Sequence, residues 1–214
     1  GIDVALLVAK DLGEIVTQEA IAVNLEGGDA TRDILHVEIE VRSGERLHVF
    51  VNHWPSRREG EVESAPKRMI AAKTLRTSVD RILATDAKAR ILIMGDLNDT
   101  PANASLIEGL GTSVDPKDTK AHFVDLVAAD HGKYPGSVAR DGVWSYFDHM
   151  IVSQGLLHSK DHGLRAVSAA SLKEERLIFH HEKYGDQPNR TFSGRDSYHA
   201  NGYSDHLPVV LLVE

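Results

Sequence analysis

Residues 90–101 read RILIMGDLNDTP, and the reading of this stretch decides the fold. Ile91, Leu92, Ile93 and Met94 form an unbroken apolar run. A strand with one face in water alternates apolar and polar residues, so an unbroken run predicts a strand covered on both faces. The run stops at Gly95-Asp96-Leu97-Asn98. A covered strand therefore ends by delivering a carboxylate and an amide to one place.

Working outward, residues 65–84 form the best helix in the chain. Ser64 is placed to cap it and Pro66 sits in its first turn. Met69, Ala72, Leu75, Val79, Ile82 and Leu83 recur at helical spacing, so one face is buried. Lys67, Arg68, Lys73 and Arg76 read as its solvated face. Upstream, residues 48–57 read HVFVNHWPSR: apolar Val49, Phe50 and Val51, then Asn52, His53 and a Trp54-Pro55 break. In 33–41, Leu35, Val37, Ile39 and Val41 alternate with His36, Glu38 and Glu40, which predicts a strand with one covered face. Residues 2–8 and 20–25 read as further strands. Downstream come a short helix near 102–109, loops with short inserts over 111–145, and strands at 146–152 and 207–213. Residues 180–204 read as a long irregular loop. No repeat or linker divides the chain, so residues 1–214 are read as one α/β domain.

The sequence contains no cysteine, which excludes disulfides, thiolate zinc sites and cysteine nucleophiles. No apolar run reaches the ~18 residues that a membrane span requires. The first residues, GIDVALLVAK, place no basic segment ahead of their short apolar run and read as a mature or trimmed chain rather than a signal peptide. The formal charge of −8 disfavours tight, non-specific binding of nucleic acid through phosphate neutralisation. None of this fixes a compartment.

Polar residues gather at four strand ends: Asn52-His53, Asp96 to Asn98, Asp148, and Ser204-Asp205-His206. Gathering them on a rigid sheet is a common way to build a site. The chemistry they suit is phosphate-ester hydrolysis. Carboxylates supply hard oxygen ligands for Mg²⁺ or Mn²⁺. An Asp or a His can orient and deprotonate a water. Asn, His and Arg donate hydrogen bonds where negative charge builds up. The inventory is Asp96, Asp148, Asp205, Asn52, Asn98, His53, His206 and Arg57.

The segments NHWPSR, IMGDLNDTP, FDHMIVS and YSDHLPVV resemble, in order and strand context, the successive signatures of the endonuclease/exonuclease/phosphatase superfamily. That group includes apurinic endonucleases, DNase I-like nucleases, sphingomyelinases and inositol polyphosphate phosphatases. The resemblance covers residues 1–214. It implies a four-layer α/β/β/α sandwich of two mixed, largely antiparallel sheets. It implies that Asp96 orients the attacking water or assists the leaving group, and that Asn98 donates to the phosphate. His206 would contact the scissile phosphate as base or electrostatic stabiliser, with Asp148 holding its tautomer. Asp205, with Asp96, would serve the metal, Mg²⁺ or Mn²⁺. His53 would bind the phosphate from the opposite wall, and Asn52 and Arg57 would touch substrate. Family members usually begin with a strand ending in Asn and then one ending in a metal-binding Glu. This sequence shows neither, so the N-terminal part of one half is expected to be missing, metal affinity weak and activity of these 214 residues low. A missing segment or another chain is expected to complete the sheet.

Blander readings stand beside these. Gly95 to Asn98 is also an ordinary turn sequence, Asp205-His206 a surface pair, and His53 a satisfied structural group. Trp54 reads as packing rather than a stacking platform. His158 and His162 flank Asp161 at helical metal-site spacing, with no further ligand evident. His180-His181 read as polar loop. The function expected is a divalent-metal-dependent phosphoesterase, most naturally a phosphodiesterase or nuclease-like enzyme acting on nucleic acid, phospholipid or a small molecule. The alternatives are a phosphomonoesterase on a small molecule or lipid, and a non-catalytic binding protein that kept the fold.

Overall fold

The computed structural model describes residues 3–129, 135–159, 163–192 and 198–214. In chain order its elements are β1 (Gly13–Ile21), β2 (Ile34–Val41), β3 (Arg46–His53), helix α1 (Glu61–Thr85), β4 (Arg90–Asp96), β5 (Thr112–Ser113), β6 (Phe123–Asp125), β7 (Val138–Arg140), β8 (Val143–Ser145) and β9 (Asp148–Ser153). A single-turn helix α2 (Gln154–Leu157), β10 (Ala166–Ser171), β11 (Ile178–His181), β12 (Gly185–Pro188) and β13 (Val209–Val213) follow.

Seven strands form one mixed sheet in the order β1-β2-β3-β4-β9-β6-β5. The β3–β4 pair is parallel and is joined by α1, the crossover that parallel neighbours require. The β4–β9 pair is antiparallel. The run 91–94 is covered on both faces, as its sequence predicts. Ile91 and Ile93 pack with Phe50, Ala72, Leu75 and Val79 under α1. Leu92 and Met94 face the other way, toward Val37, Ile39, Val49 and Val51. A two-stranded sheet, β10–β13, lies over that second face and buries Ala166, Ala169, Val209 and Leu211 against Val124 and Val152. The described residues thus supply a helix layer, a large sheet and a small second sheet. On the outer face of β13, Val210 and Leu212 remain 51% and 53% exposed.

Several expectations need correction. The segment 3–9 forms no strand: Val4, Leu6 and Val8 pack on the β2–β3 face while Leu7 points into solvent. Apolar alternation there is satisfied by packing, with no ladder neighbour. The strand expected at 20–25 is instead β1, whose polar sequence GEIVTQEAI suits an exposed edge. Val23 and Leu25 pack into the helix-side core beyond its end. Helix α1 begins at Glu61, so Ser64 lies inside it, buried, with its hydroxyl donating to the Gly60 carbonyl. Arg68 is not on the solvated face: it is fully buried. The expected irregular loop 180–204 opens with the end of a hairpin, β11–β12, whose mostly polar strands carry no apolar alternation to announce them.

Candidate functional site

Register builds the centre of the site. On β3 and β4 the partners run to Asn52↔Gly95 and His53↔Asp96. On β4 and β9 the last pair is Asp96↔Asp148. His53, Asp96 and Asp148 therefore stand in one row across three neighbouring strands. Backbone bonds continue past the ladder: Trp54 N–H donates to the Asp96 carbonyl at 2.9 Å, and Leu97 N–H to the Phe147 carbonyl at 2.8 Å. Gly95 is required in this row. Its φ is +123°, and a Cβ would run into the Asn52 carbonyl.

The fourth member arrives from far along the chain. His206 forms an isolated bridge with Val138 of β7 and places its Nδ1 2.6 Å from Asp148 Oδ2. One donor atom from each of Asp96, Asp148 and His206 lies within 4.8 Å of the others. His53 Nε2 stands 3.6 Å from Asp96 Oδ2.

The electrostatics follow from crowding in a half-buried place. Burial, then the Asp148 charge, pushes the Asp96 carboxyl up to about 6. Burial works against an imidazolium at His206, but the hydrogen bond and charge of Asp148, aided by Asp96 and Asp205, carry it up to about 9. Burial likewise opposes ionisation of Asp148, yet the His206 bond holds its carboxyl below the ordinary range. Burial, with the Arg32 and His206 charges, lowers His53. The trio at neutral pH is thus a carboxylate beside a carboxylate–imidazolium pair.

The loop after β4 is held by a buried hub that the sequence reading did not find. Asp99 Oδ1 meets Arg57 Nη2 at 2.8 Å and Arg68 Nε at 2.7 Å, and its Oδ2 accepts from Ser105 Oγ at 2.6 Å. The Asp99 carbonyl lies 2.9 Å from His149 Nε2, and His149 Nδ1 lies 2.7 Å from Asp125 Oδ2. His149 is fully buried; burial disfavours its charge, but Asp125 and the Asp99 carbonyl raise its pKa overall. Ser137 Oγ accepts from Phe147 and Asp148 N–H, fixing the start of β9. One signal for this hub was available: Arg68 sits one turn before Ala72 and two before Leu75, on the apolar stripe of α1.

Two expected substrate contacts are turned elsewhere. Asn52 is 2% exposed, donates to the Phe50 carbonyl at 3.1 Å and accepts from Trp54 Nε1 at 3.1 Å, so its amide is spent inside the sheet. Arg57 donates to the Asn98 carbonyl at 2.7 Å, pairs with Asp99 and Glu61, and covers the Phe147 ring at 4.6 Å. Its guanidinium clamps the loop after β4. Asn98 is in the left-handed region at φ 52°, its N–H donating to Asp96 Oδ1 at 2.8 Å and its side-chain amide to the Trp54 carbonyl at 3.1 Å. Asp205 is exposed and stands outside the close trio. Trp54 is packing, 1% exposed. Asp161 and His162 lie outside the described residues, and His180 pairs with Glu175 and Asp186 at the surface.

The donor set of Asp96 and Asp148 fits a hard divalent cation. Two carboxylates face each other at one register position, and burial leaves one of them with a raised pKa.

The fold has many solved counterparts. The human Nocturnin catalytic domain with bound sulfate anion aligns over 75% of this chain and 53% of its own, with 15% identity and a TM-score of 0.53. The mannosyl-6-phosphatase of Bacteroides thetaiotaomicron aligns over 96% and 68%, with 16% identity and a TM-score of 0.58. D. rerio TDP2 complexed with single strand DNA product aligns over 96% and 70%, with 15% identity and a TM-score of 0.58. The chain thus spans about half to seven-tenths of the length of these proteins. No curated protein matches its sequence. The sequence pattern of the Endonuclease/Exonuclease/phosphatase family matches residues 1–214 from end to end, and the chain belongs to that family.

Proposed function

We propose that this protein is a divalent-metal-dependent hydrolase of phosphate esters, with phosphodiesters as its most natural substrates. One observation carries the reading: Asp96, Asp148 and His206, which lie far apart in sequence, bring donor atoms within 4.8 Å of one another. In this reading Asp96, ionised above about pH 6, orients and deprotonates the attacking water. His206, kept protonated by Asp148, stabilises negative charge on the phosphoryl oxygens. His53 supplies a second donor on the far side of Asp96. Asp96 and its neighbouring carboxylates would hold Mg²⁺ or Mn²⁺, which would supply positive charge to neutralise the phosphate. A mannosyl-6-phosphatase and a TDP2 holding a single-strand DNA product, both fold neighbours, are compatible with this chemistry and do not choose a substrate. The second sheet has only two described strands, and a further strand from this protein or another chain completes it in this reading.

The test is a panel of phosphodiesters and phosphomonoesters assayed with Mg²⁺, Mn²⁺ and chelator. Metal-dependent turnover that chelator abolishes is expected. Absence of turnover in every arm, with the full-length protein, would favour a non-catalytic binding role. For a nuclease, cleavage falls steeply with added salt; a flat response argues for a small or lipid-derived substrate.

A further inference from the structure

Among the described residues, Arg32, Arg68 and Arg90 each bury Nε without a hydrogen-bond partner. Carboxylates account for the last two. Arg68 Nε lies 2.7 Å from Asp99 Oδ1, and Arg90 Nη2 lies 2.6 Å from Glu45 Oε1. The side chain of Arg32 makes neither an ion pair nor a hydrogen bond among the described residues. A guanidinium carries five donors and keeps its charge at every ordinary pH. Holding one half-buried and unpaired opposes folding, so this residue calls for a reason outside stability.

Topology supplies the place. Arg32 stands two residues before Ile34, where β2 begins. β2 and β3 are antiparallel, with Leu35 opposite Val51, so the start of β2 lies at the end of the sheet where β3 delivers His53. Arg32 also lines a cavity of about 630 Å³ together with Pro55 and Ser56, which follow His53 closely in the chain. Two acidic residues of that cavity, Asp29 and Glu59, are held by Lys67 at 2.8 Å each, and Asp33 is exposed and forms no ion pair with Arg32. Burial, then the Arg32 charge, then that of His206 lowers the His53 pKa, so Arg32, His53 and His206 gather at one end of the sheet. Cationic groups held together in a half-buried place repel one another, and an anion between them reconciles them. Asp148 is taken by His206 at 2.6 Å and leaves Arg32 unpaired. A planar guanidinium fork matches the oxygens of a phosphate.

We infer that Arg32 contacts the scissile phosphate from the β2 side, donating to its non-bridging oxygens beside His53. The inference rests on the proposed phosphoesterase reading, which puts the phosphate between His53 and His206. The orphaned guanidinium is then a donor kept free for substrate, in contrast to Arg57 and Arg68, whose donors are spent on Asp99.

Binding separates this inference from the catalytic reading. Inorganic phosphate is titrated calorimetrically, with Mg²⁺ and separately with chelator, into the full-length wild-type protein and into Arg32→Gln, Arg32→Lys and Arg58→Gln. Arg58 lines the same cavity as Arg32 and serves as the control. Arg32→Gln is expected to weaken phosphate binding by about tenfold or more, Arg32→Lys by less, and Arg58→Gln to leave it unchanged. The ratio kcat/KM on the best substrate of the panel is expected to follow the same order. In the wild-type protein, phosphate is expected to slow the modification of Arg32 by phenylglyoxal, read by mass spectrometry, and to leave that of Arg58 alone; this arm requires no variant to fold. Unchanged affinity in Arg32→Gln, an equal loss in Arg58→Gln, no phosphate binding with or without Mg²⁺, or no protection of Arg32 would overturn the inference. Full turnover in Arg32→Gln would overturn it too and leave the catalytic reading standing. Phosphate held through Arg32 by a protein that hydrolyses no ester would overturn the catalytic reading and leave this contact standing.

Discussion

Asp96 and Asp148 are cross-strand partners, placed directly opposite each other where β4 ends and β9 begins. Like charges opposed across a ladder are destabilising, and the sheet offers neither residue a way out of the register. His206 neutralises one of them at 2.6 Å. The other, Asp96, is left with its carboxyl pushed up to about 6. Under the proposed function, a divalent cation held at these carboxylates would relieve that repulsion.

Asp96→Ala and His206→Ala are each expected to cut phosphoester turnover by about 10²-fold or more while leaving thermal unfolding close to wild type. The pair of measurements is kcat on the best substrate of the panel and the melting midpoint. Near-normal turnover in both variants would dismiss these assignments.

Asp148→Asn keeps the shape of the partner of His206 and removes its charge. The asparagine can still meet Nδ1, so KM should move little while kcat falls. A change confined to KM would instead place Asp148 among substrate contacts.

Arg68→Met and Asp99→Ala break the buried hub under the loop. Removing one member leaves an uncompensated buried charge, a loss of about 3–5 kcal/mol by comparison with other buried pairs. Asp99→Ala removes the carboxylate that Arg57 and Arg68 share and should be the worse of the two. Urea denaturation gives both numbers, and losses within the noise of surface variants would show the hub to be dispensable.

His36 and His48 give stability a pH dependence away from the site. Their rings stack at 5.3 Å, with His36 Nε2 3.1 Å from His48 Nδ1. Burial lowers both pKa values, and the His48 charge lowers that of His36 further. The folded chain therefore takes up protons less readily than the unfolded chain, whose imidazoles titrate near 6.5. The contribution of this pair is fully present above about pH 6.5 and is lost as pH falls through that value toward the lower folded-state values. Urea midpoints should decline over this window, and His48→Gln should flatten the decline. An unchanged slope in the variant would assign the effect elsewhere.

The free side of β13 bears on association. Among the described residues β13 pairs only with β10, and Val210 and Leu212 are about half exposed on its outer face. An exposed apolar edge promotes pairing between chains. The 214-residue chain is expected to self-associate in size-exclusion runs, and Val210→Lys with Leu212→Lys to reduce this. A wild-type chain that elutes as a stable monomer would count against an incomplete sheet.

Much of this was legible in residue order. The apolar run 91–94, the alternation of 35–41 and the periodic stripe of α1 each carry a period that only one kind of element satisfies. Segment 3–9 misled because alternation reports burial of one face and says nothing of a hydrogen-bonded neighbour. Hairpin β11–β12 was missed for the opposite reason, since its strands are held by backbone pairing with little burial. Arg68 was placed in solvent by its charge, although its spacing from Ala72 and Leu75 put it on the apolar stripe.

By itself, the sequence determined the strand ends and the chemistry delivered there: His53 and Asp96 follow from where an apolar run stops, Asp148 and His206 from where one begins. Only the tertiary structure decided which of those groups meet. Register opposed Asp96 to Asp148, a distant return brought His206 to the same carboxylate, and packing withdrew Asn52 and Arg57 into the sheet and the loop clamp. Periodicity is a property of neighbours along the chain, whereas a contact between residues 58 apart depends on how strands pair and where side-chain hydrogen bonds are already spent.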